Sequence, residues 1–188
     1  MKYLFSLMSV FILGALLFTA CSKKQDIKKD KVDLTNKTIM VLETSKGTIK
    51  IALDNEKAPF TTTRIKELVN QGFYNGLTFH RVIPGFVIQG GDPNGNGTGG
   101  TGITIKDEFN NGLKHDKAGK IAMAHAGPGT ADCQFYITLA PLPQLDGQYT
   151  VFGEVTEGMD VAQAIASVPR DGRDKPLEPI KIIKATLE

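Results

Sequence analysis

Apolar residues alternate with polar ones between positions 38 and 53. Ile39 and Val41 lead, Ile49, Ile51 and Leu53 follow, and Ser45-Lys46-Gly47 interrupts them. A period of two broken by a turn signal predicts a β-hairpin. The period changes after Pro59. Ile65, Leu68 and Val69 form a helical stripe, Pro59 suits a first turn and Gly72 a stop, so 59–71 is predicted helical. Segments 77–82 and 86–90 read as strands around Pro84-Gly85, and 91–102 as a glycine-rich loop. Ile103-Thr104-Ile105 also has strand character. Further strands are expected at 120–125, 134–139, 151–154 and 180–187, with a short helix at 161–167. Many short strands with two helices predict a mainly β fold. A closed antiparallel barrel is expected, because closure leaves no exposed edge.

The start of the chain follows different rules. Lys2 is the one charge in residues 1–20, and a largely apolar run extends from Leu4 to Ala20. A positive start, an apolar middle and small residues at the end are the layout of an export signal. The run ends Leu17-Phe18-Thr19-Ala20-Cys21. Small residues directly before a cysteine resemble the lipobox of bacterial lipoproteins, whose signal is cut before the cysteine, which then receives acyl chains. Phe18 departs from that pattern, which usually carries an aliphatic residue there. An ordinary cleaved signal and an uncleaved anchor are the alternatives, although a spanning helix needs about 20 apolar residues.

Residues 21–37 then form a tether after the lipidated Cys21. Six lysines (23, 24, 28, 29, 31 and 37) face three aspartates (26, 30 and 33), with no apolar period. Cleavage would remove Lys2 and lower the net charge from +2 to +1. The expected location is a bacterial cell envelope, with the protein lipid-anchored to a membrane and facing the periplasm or the exterior.

Residues 38–188 remain as one domain, a size that buries roughly 68–70% of the unfolded surface in a single core. The whole chain is 41% hydrophobic and 22% charged, which excludes wholesale disorder. A charge of +2 gives no reason to expect nucleic-acid binding. Two cysteines build no disulfide scaffold, and with Cys21 lipidated Cys133 stands alone as a small packed residue.

The three histidines, His80, His115 and His125, show no metal-ligand spacing, and no G-x-S-x-G elbow is present. No metal site is expected. Gly95-Asn96-Gly97-Thr98-Gly99-Gly100 matches G-x-G-x-x-G, but the segment after it reads as strand instead of helix. That context marks a turn-rich loop and no dinucleotide site.

Three long motifs carry the stronger signal. Residues 79–92 read Phe-His-Arg-Val-Ile-Pro-Gly-Phe-Val-Ile-Gln-Gly-Gly-Asp. Residues 121–138 read Ile-Ala-Met-Ala-His-Ala-Gly-Pro-Gly-Thr-Ala-Asp-Cys-Gln-Phe-Tyr-Ile-Thr, and 145–153 read Leu-Asp-Gly-Gln-Tyr-Thr-Val-Phe-Gly. Together they resemble the cyclophilin family of peptidyl-prolyl cis-trans isomerases, over about 41–187. The resemblance implies an eight-stranded antiparallel barrel capped by two helices, and no cofactor.

The activity so implied has a simple physical demand. Rotating an X-Pro amide crosses roughly 18–20 kcal/mol because resonance must be broken. No covalent bond changes, so the site must hold a proline ring and favour the twisted amide.

By resemblance Arg81 is the catalytic donor, a fixed cation aimed at the twisted amide. Gln89 supports it and contacts the substrate backbone. Phe86, Met123, Tyr136 and Leu145 line the proline pocket, with Phe135 beside it. Ala124 and His125 match the stretch whose backbone pairs with substrate, where many relatives carry Asn in place of His125.

Tyr136 replaces the common Phe and brings a hydroxyl that needs a partner. Tyr149 stands where many eukaryotic members carry His. Gln144 occupies the place of a tryptophan that contacts cyclosporin in sensitive members, so weak cyclosporin binding is expected. His80 is read as structural and His115 as exposed in a polar loop. The expected partners are proline-containing segments of unfolded or partly folded proteins, and a monomer is expected. A proline-docking module with incidental catalysis, and a barrel carrying a small ligand, are the competing readings.

Overall fold

A computed structural model of the chain describes residues 37–188. The expected signal segment, Cys21 and the lysine-rich stretch apart from Lys37 lie outside the described residues. The hairpin opens the domain as β1 (Thr38–Thr44) and β2 (Gly47–Leu53), with Thr44 paired to Gly47 across Ser45-Lys46. Helix α1 spans Pro59–Asn70, and Gly72 follows it at φ +68°, a left-handed conformation that ends helices at little cost for glycine. Its first turn carries no local cap. Glu108 supplies one from a distant loop, accepting from the Phe60 and Thr61 N–H groups at 3.2 and 3.0 Å.

Then come β3 (Arg81–Ile83), β4 (Val87–Gly90), β5 (Lys120–Met123) and β6 (Phe135–Thr138). A 3-10 turn at Pro143–Leu145, β7 (Val151–Glu157), α2 (Met159–Ala166) and β8 (Ile182–Leu187) complete the order. Ile103-Thr104-Ile105 is not a strand. No neighbouring strand ladders onto it, and the Ile105 N–H bonds the Ala131 carbonyl from within a loop.

All ladders are antiparallel, in the order β3-β4-β6-β5-β7-β2-β1-β8. The expected closed barrel is not formed: β3 and β8 end the sheet and share no ladder, leaving an open half-barrel. The outer edge of β3 is already occupied, because the Val82 N–H donates to the Asp174 carbonyl at 2.8 Å. Irregular backbone staples the gap instead. Thr78 bridges Lys181, Phe79 N–H bonds the Ile180 carbonyl at 2.9 Å, and Ile182 N–H bonds the Leu77 carbonyl at 2.8 Å. An edge can be covered as well as closed.

Alternation along the middle strands sorts the side chains into two cores. Val82, Ile88, Ile121, Met123, Phe135, Ile137 and Phe152 join the main core, which also takes Ile65 and Leu68 of α1 and Ala162 and Ile165 of α2. Val87, Ala122, Tyr136 and Val151 face the other way and form a smaller cluster with Leu142. The central strands are thus buried on both faces. The second face carries the candidate site.

Candidate active site

One cross-strand row builds the site. Arg81 pairs with Gln89, Gln89 with Tyr136, Tyr136 with Ala122, and Ala122 with Val151. Facing pairs share a side of the sheet, so Arg81, Gln89 and Tyr136 stand side by side over the smaller cluster. The turn Ile83-Pro84-Gly85-Phe86 adds the next wall. Phe86 N–H bonds the Ile83 carbonyl at 3.0 Å and Gly85 has φ +71°, the type II pattern with Pro then Gly at its centre. It brings a half-buried Phe86 beside Arg81. The 3-10 turn brings Leu145, and the chain after it brings Tyr149, whose ring stacks on His125 at 4.5 Å and meets Tyr136 edge-on at 5.8 Å.

These side chains, with Val87 and Ala124, enclose a pocket of about 160 Å³. Beside it lies a wider cavity of about 590 Å³ that shares Gln89, Ala124 and His125 and continues along the loop from Gly97 to Gly102.

Of the residues expected at the site, Arg81, Gln89, Phe86, Ala124, His125, Tyr136, Leu145 and Tyr149 all line the smaller pocket. Met123 and Phe135 do not. They pair with each other across β5 and β6 and point into the main core, 1% and 0% exposed. Val87 lines the pocket without having been singled out in the sequence.

None of the ion pairs among the described residues takes up the Arg81 guanidinium. Gln89 turns its amide the other way. Its Nε2 donates to Gln134 Oε1 at 3.0 Å, and Gln134 Nε2 donates to the Gly99 carbonyl at 2.8 Å and the Gly97 carbonyl at 3.2 Å. Gln134 therefore ties Gln89 to the glycine-rich loop, a role that only the assembled fold reveals. The loop itself winds about the buried Asp92 carboxylate, which accepts the N–H groups of Asn94, Asn96 and Gly97. Ala124 N–H is committed to the Gln134 carbonyl at 2.9 Å. His125 Nε2 lies 2.7 Å from the Gln148 carbonyl and its Nδ1 accepts the Gly127 N–H at 3.0 Å, so Nε2 carries the proton.

His115 is the largest departure from expectation. It is 0% exposed, where an exposed loop residue was predicted. Its ring nitrogens meet Asp146 Oδ1 and the Tyr136 hydroxyl, each at 2.9 Å, and its carbonyl accepts the Leu142 N–H. The hydroxyl of Tyr136 thus finds its partner here. Burial, with Tyr149 and Asp146 adding to it, holds the Tyr136 phenol far above its ordinary range, so it stays a neutral hydroxyl. Burial also pushes the Asp146 carboxyl up, but the backbone N–H and ring of His115 outweigh it and the group sits below its ordinary value.

His80, next to Arg81, is buried with neither ring nitrogen hydrogen-bonded, and burial lowers its pKa. Burial pushes the Cys133 thiol up to about 12, so it is an unreactive core residue. Among the described residues no cluster of His, Cys, Asp and Glu is suited to a metal, and no helix is long and apolar enough to cross a membrane.

A family profile described as "Cyclophilin type peptidyl-prolyl cis-trans isomerase/CLD" matches residues 39–187. The chain belongs to the cyclophilin family. Among curated cyclophilins, the peptidyl-prolyl cis-trans isomerase ppi1 of Schizosaccharomyces pombe is 50% identical over 147 residues, 77% of this chain and 95% of the yeast protein. The Arabidopsis thaliana isomerase CYP18-2 is 43% identical over 148 residues, 77% of this chain and 90% of that one.

A crystal structure of a Cryptosporidium parvum cyclophilin type isomerase superposes with a TM-score of 0.78 at 34% identity, covering 81% of this chain and 98% of that one. The same parasite protein, crystallised in the presence of the dipeptide Ala-Pro, gives 0.77 at 35% identity, covering 80% and 98%. The protein is therefore a peptidyl-prolyl cis-trans isomerase. Residues before 39 lie outside the family match.

Proposed function

We propose that this cyclophilin accelerates X-Pro rotation in proteins folding outside the cytoplasm, that it is anchored to the bacterial envelope by lipid on Cys21, and that Arg81 stabilises the twisted amide. The observation that carries the mechanism is Arg81 at the wall of a pocket lined by no Asp, Glu or Lys, with no ion-pair partner among the described residues. As the amide twists, its nitrogen loses conjugation, becomes pyramidal and accepts a hydrogen bond that neither planar form accepts. A donor already in place favours that state without reorganising. Phe86, Tyr136 and Leu145 hold the proline ring while the preceding carbonyl turns, and Gln89 contacts the substrate backbone. The apolar run, the small residues before Cys21 and the lysine-rich spacer support export and tethering.

An exchange assay on an X-Pro peptide, by protease coupling or NMR, tests the mechanism on the full-length chain in mild detergent. Arg81→Ala should lower kcat/KM at least about tenfold, a loss of about 1.4 kcal/mol of transition-state stabilisation. An unchanged rate would remove Arg81 from the mechanism. Tethering is tested separately: wild-type protein should take up labelled fatty acid in bacteria, and Cys21→Ser should not.

A further inference from the structure

Two stretches of the pocket lining are linked through a residue that does not line it. Tyr136 lines the pocket, and its hydroxyl lies 2.9 Å from His115 Nε2. The His115 ring runs nearly parallel to the Tyr136 ring, at an interplanar angle of 13°. On its far side Nδ1 lies 2.9 Å from Asp146 Oδ1, and the same oxygen accepts the His115 backbone N–H at 2.8 Å.

An ionised carboxylate only accepts, so Nδ1 donates to Asp146, and in the neutral imidazole Nε2 then accepts the Tyr136 O–H. Asp146 is the neighbour in sequence of Leu145, whose side chain lines the same pocket and packs in the same cluster as Tyr136. Both ends of the chain of bonds are thereby attached to pocket walls. Leu142 N–H on the His115 carbonyl ties the 3-10 turn to the same residue a second time.

We propose that His115 is a positioning and specificity-determining residue, which sets the gap between Tyr136 and Leu145 and so fits the pocket to a five-membered ring. The inference rests on assigning this pocket to the proline ring. A pocket whose walls are pinned discriminates by ring size, because a larger ring must break or strain the link. A pocket held by packing alone keeps its selectivity when the link is cut.

Tyr136→Phe cuts the link at the hydroxyl and leaves the ring in place. The probes are an Ala-Ala-Pro-Phe peptide and its counterpart with six-membered pipecolic acid in place of proline. Dissociation constants are measured by titration on the full-length chain in detergent, together with ¹⁵N signals of the ring of His115, one of three histidines in the chain.

The ratio of the two dissociation constants should fall at least about threefold in Tyr136→Phe, and similarly in His115→Phe if that variant folds. Saturation with the proline peptide should move the His115 ring signals in wild type and move them less in Tyr136→Phe, where only the Asp146 end of the link remains. A folded Tyr136→Phe protein with wild-type discrimination overturns the proposal. So do wild-type His115 signals indifferent to the peptide. A general loss of stability weakens both peptides together and leaves the ratio unchanged, which also counts against it. Because binding is read instead of turnover, a chain that binds proline but fails the Arg81 assay loses that mechanism and not this one. A chain that binds neither peptide loses both.

Discussion

Replacing Arg81 by Lys keeps a positive charge in the pocket and removes the planar fork. The two substitutions Arg81→Ala and Arg81→Lys therefore separate a general field from a directed hydrogen bond. A hydrogen bond from a charged donor contributes about 1.5–3 kcal/mol. At about 1.36 kcal/mol per tenfold, its loss lowers kcat by roughly 10- to 150-fold. Arg81 makes no ion pair among the described residues, so its replacement removes no structural link of that kind. The expected change in stability is within about 0.5 kcal/mol, which denaturant titration checks before any rate is interpreted. An interaction made only with the twisted amide leaves KM nearly unchanged while kcat falls. The expected outcome for Arg81→Lys is a kcat close to that of Arg81→Ala, with KM within about twofold of wild type. A Lys variant retaining a third or more of the wild-type kcat would refute the directed bond and leave only the field.

Glu108 caps α1 from outside the helix, through two backbone N–H groups and the Thr61 hydroxyl at 2.7 Å. Glu108→Ala should cost about 1–2 kcal/mol, read as a lower denaturation midpoint, and a change below about 0.5 kcal/mol would deny the cap. Burial raises the Glu154 carboxyl, but Lys120 and Lys117 at 3.0 and 3.1 Å outweigh it and hold it below the ordinary 4.5. A depressed folded value means that this stabilisation is complete above the unfolded value and is lost as pH falls through the folded one. Wild type should therefore lose stability more steeply than Glu154→Gln on acidification below pH 4.5, and parallel curves would contradict the pairing. Gln144 lies exposed on the 3-10 turn, so cyclosporin should inhibit weakly. Gln144→Trp should tighten that inhibition about tenfold, the equivalent of one aromatic contact of about 1–1.5 kcal/mol, and strong inhibition of wild type would refute the expectation.

The hairpin, both helices and the eight strands were legible because each carries its own period and its own punctuation. What the period could not decide was which face of a doubly buried strand does the chemistry. Residues 121–123 and 135–137 are apolar on both faces, so the pattern could not place Met123 and Phe135, which resemblance assigned to the pocket and the fold turns into the main core. His115 was misread for another reason. Its neighbours Lys114, Asp116 and Lys117 are polar, while its partners Tyr136 and Asp146 lie 21 and 31 residues away. Gln134 hides in the same way, since its bonds reach back 35 and 45 residues to the loop and to Gln89. The closed barrel failed on an edge argument. The sequence shows strands that need covering, and does not show that Asp174 covers β3.

The arrangement separates what holds Arg81 from what shapes the pocket. Rotation about an amide asks for one fixed donor and one fitted pocket, and for no covalent participant. Arg81 and Gln89 stand on adjacent strands whose reverse faces, Val82 and Ile88, are locked into the main core. Arg81 is thus held by packing on the reverse face of its strand, the rigidity that the proposed donor role requires. The pocket is held differently, by the turn that carries Phe86 and by the bonds that join Tyr136 through His115 to Asp146. Substitutions such as Tyr136 and Tyr149 can therefore reshape ring selection without moving Arg81. Fit and rate should vary separately in this molecule, the pocket variants acting mainly on binding and the Arg81 variants mainly on turnover.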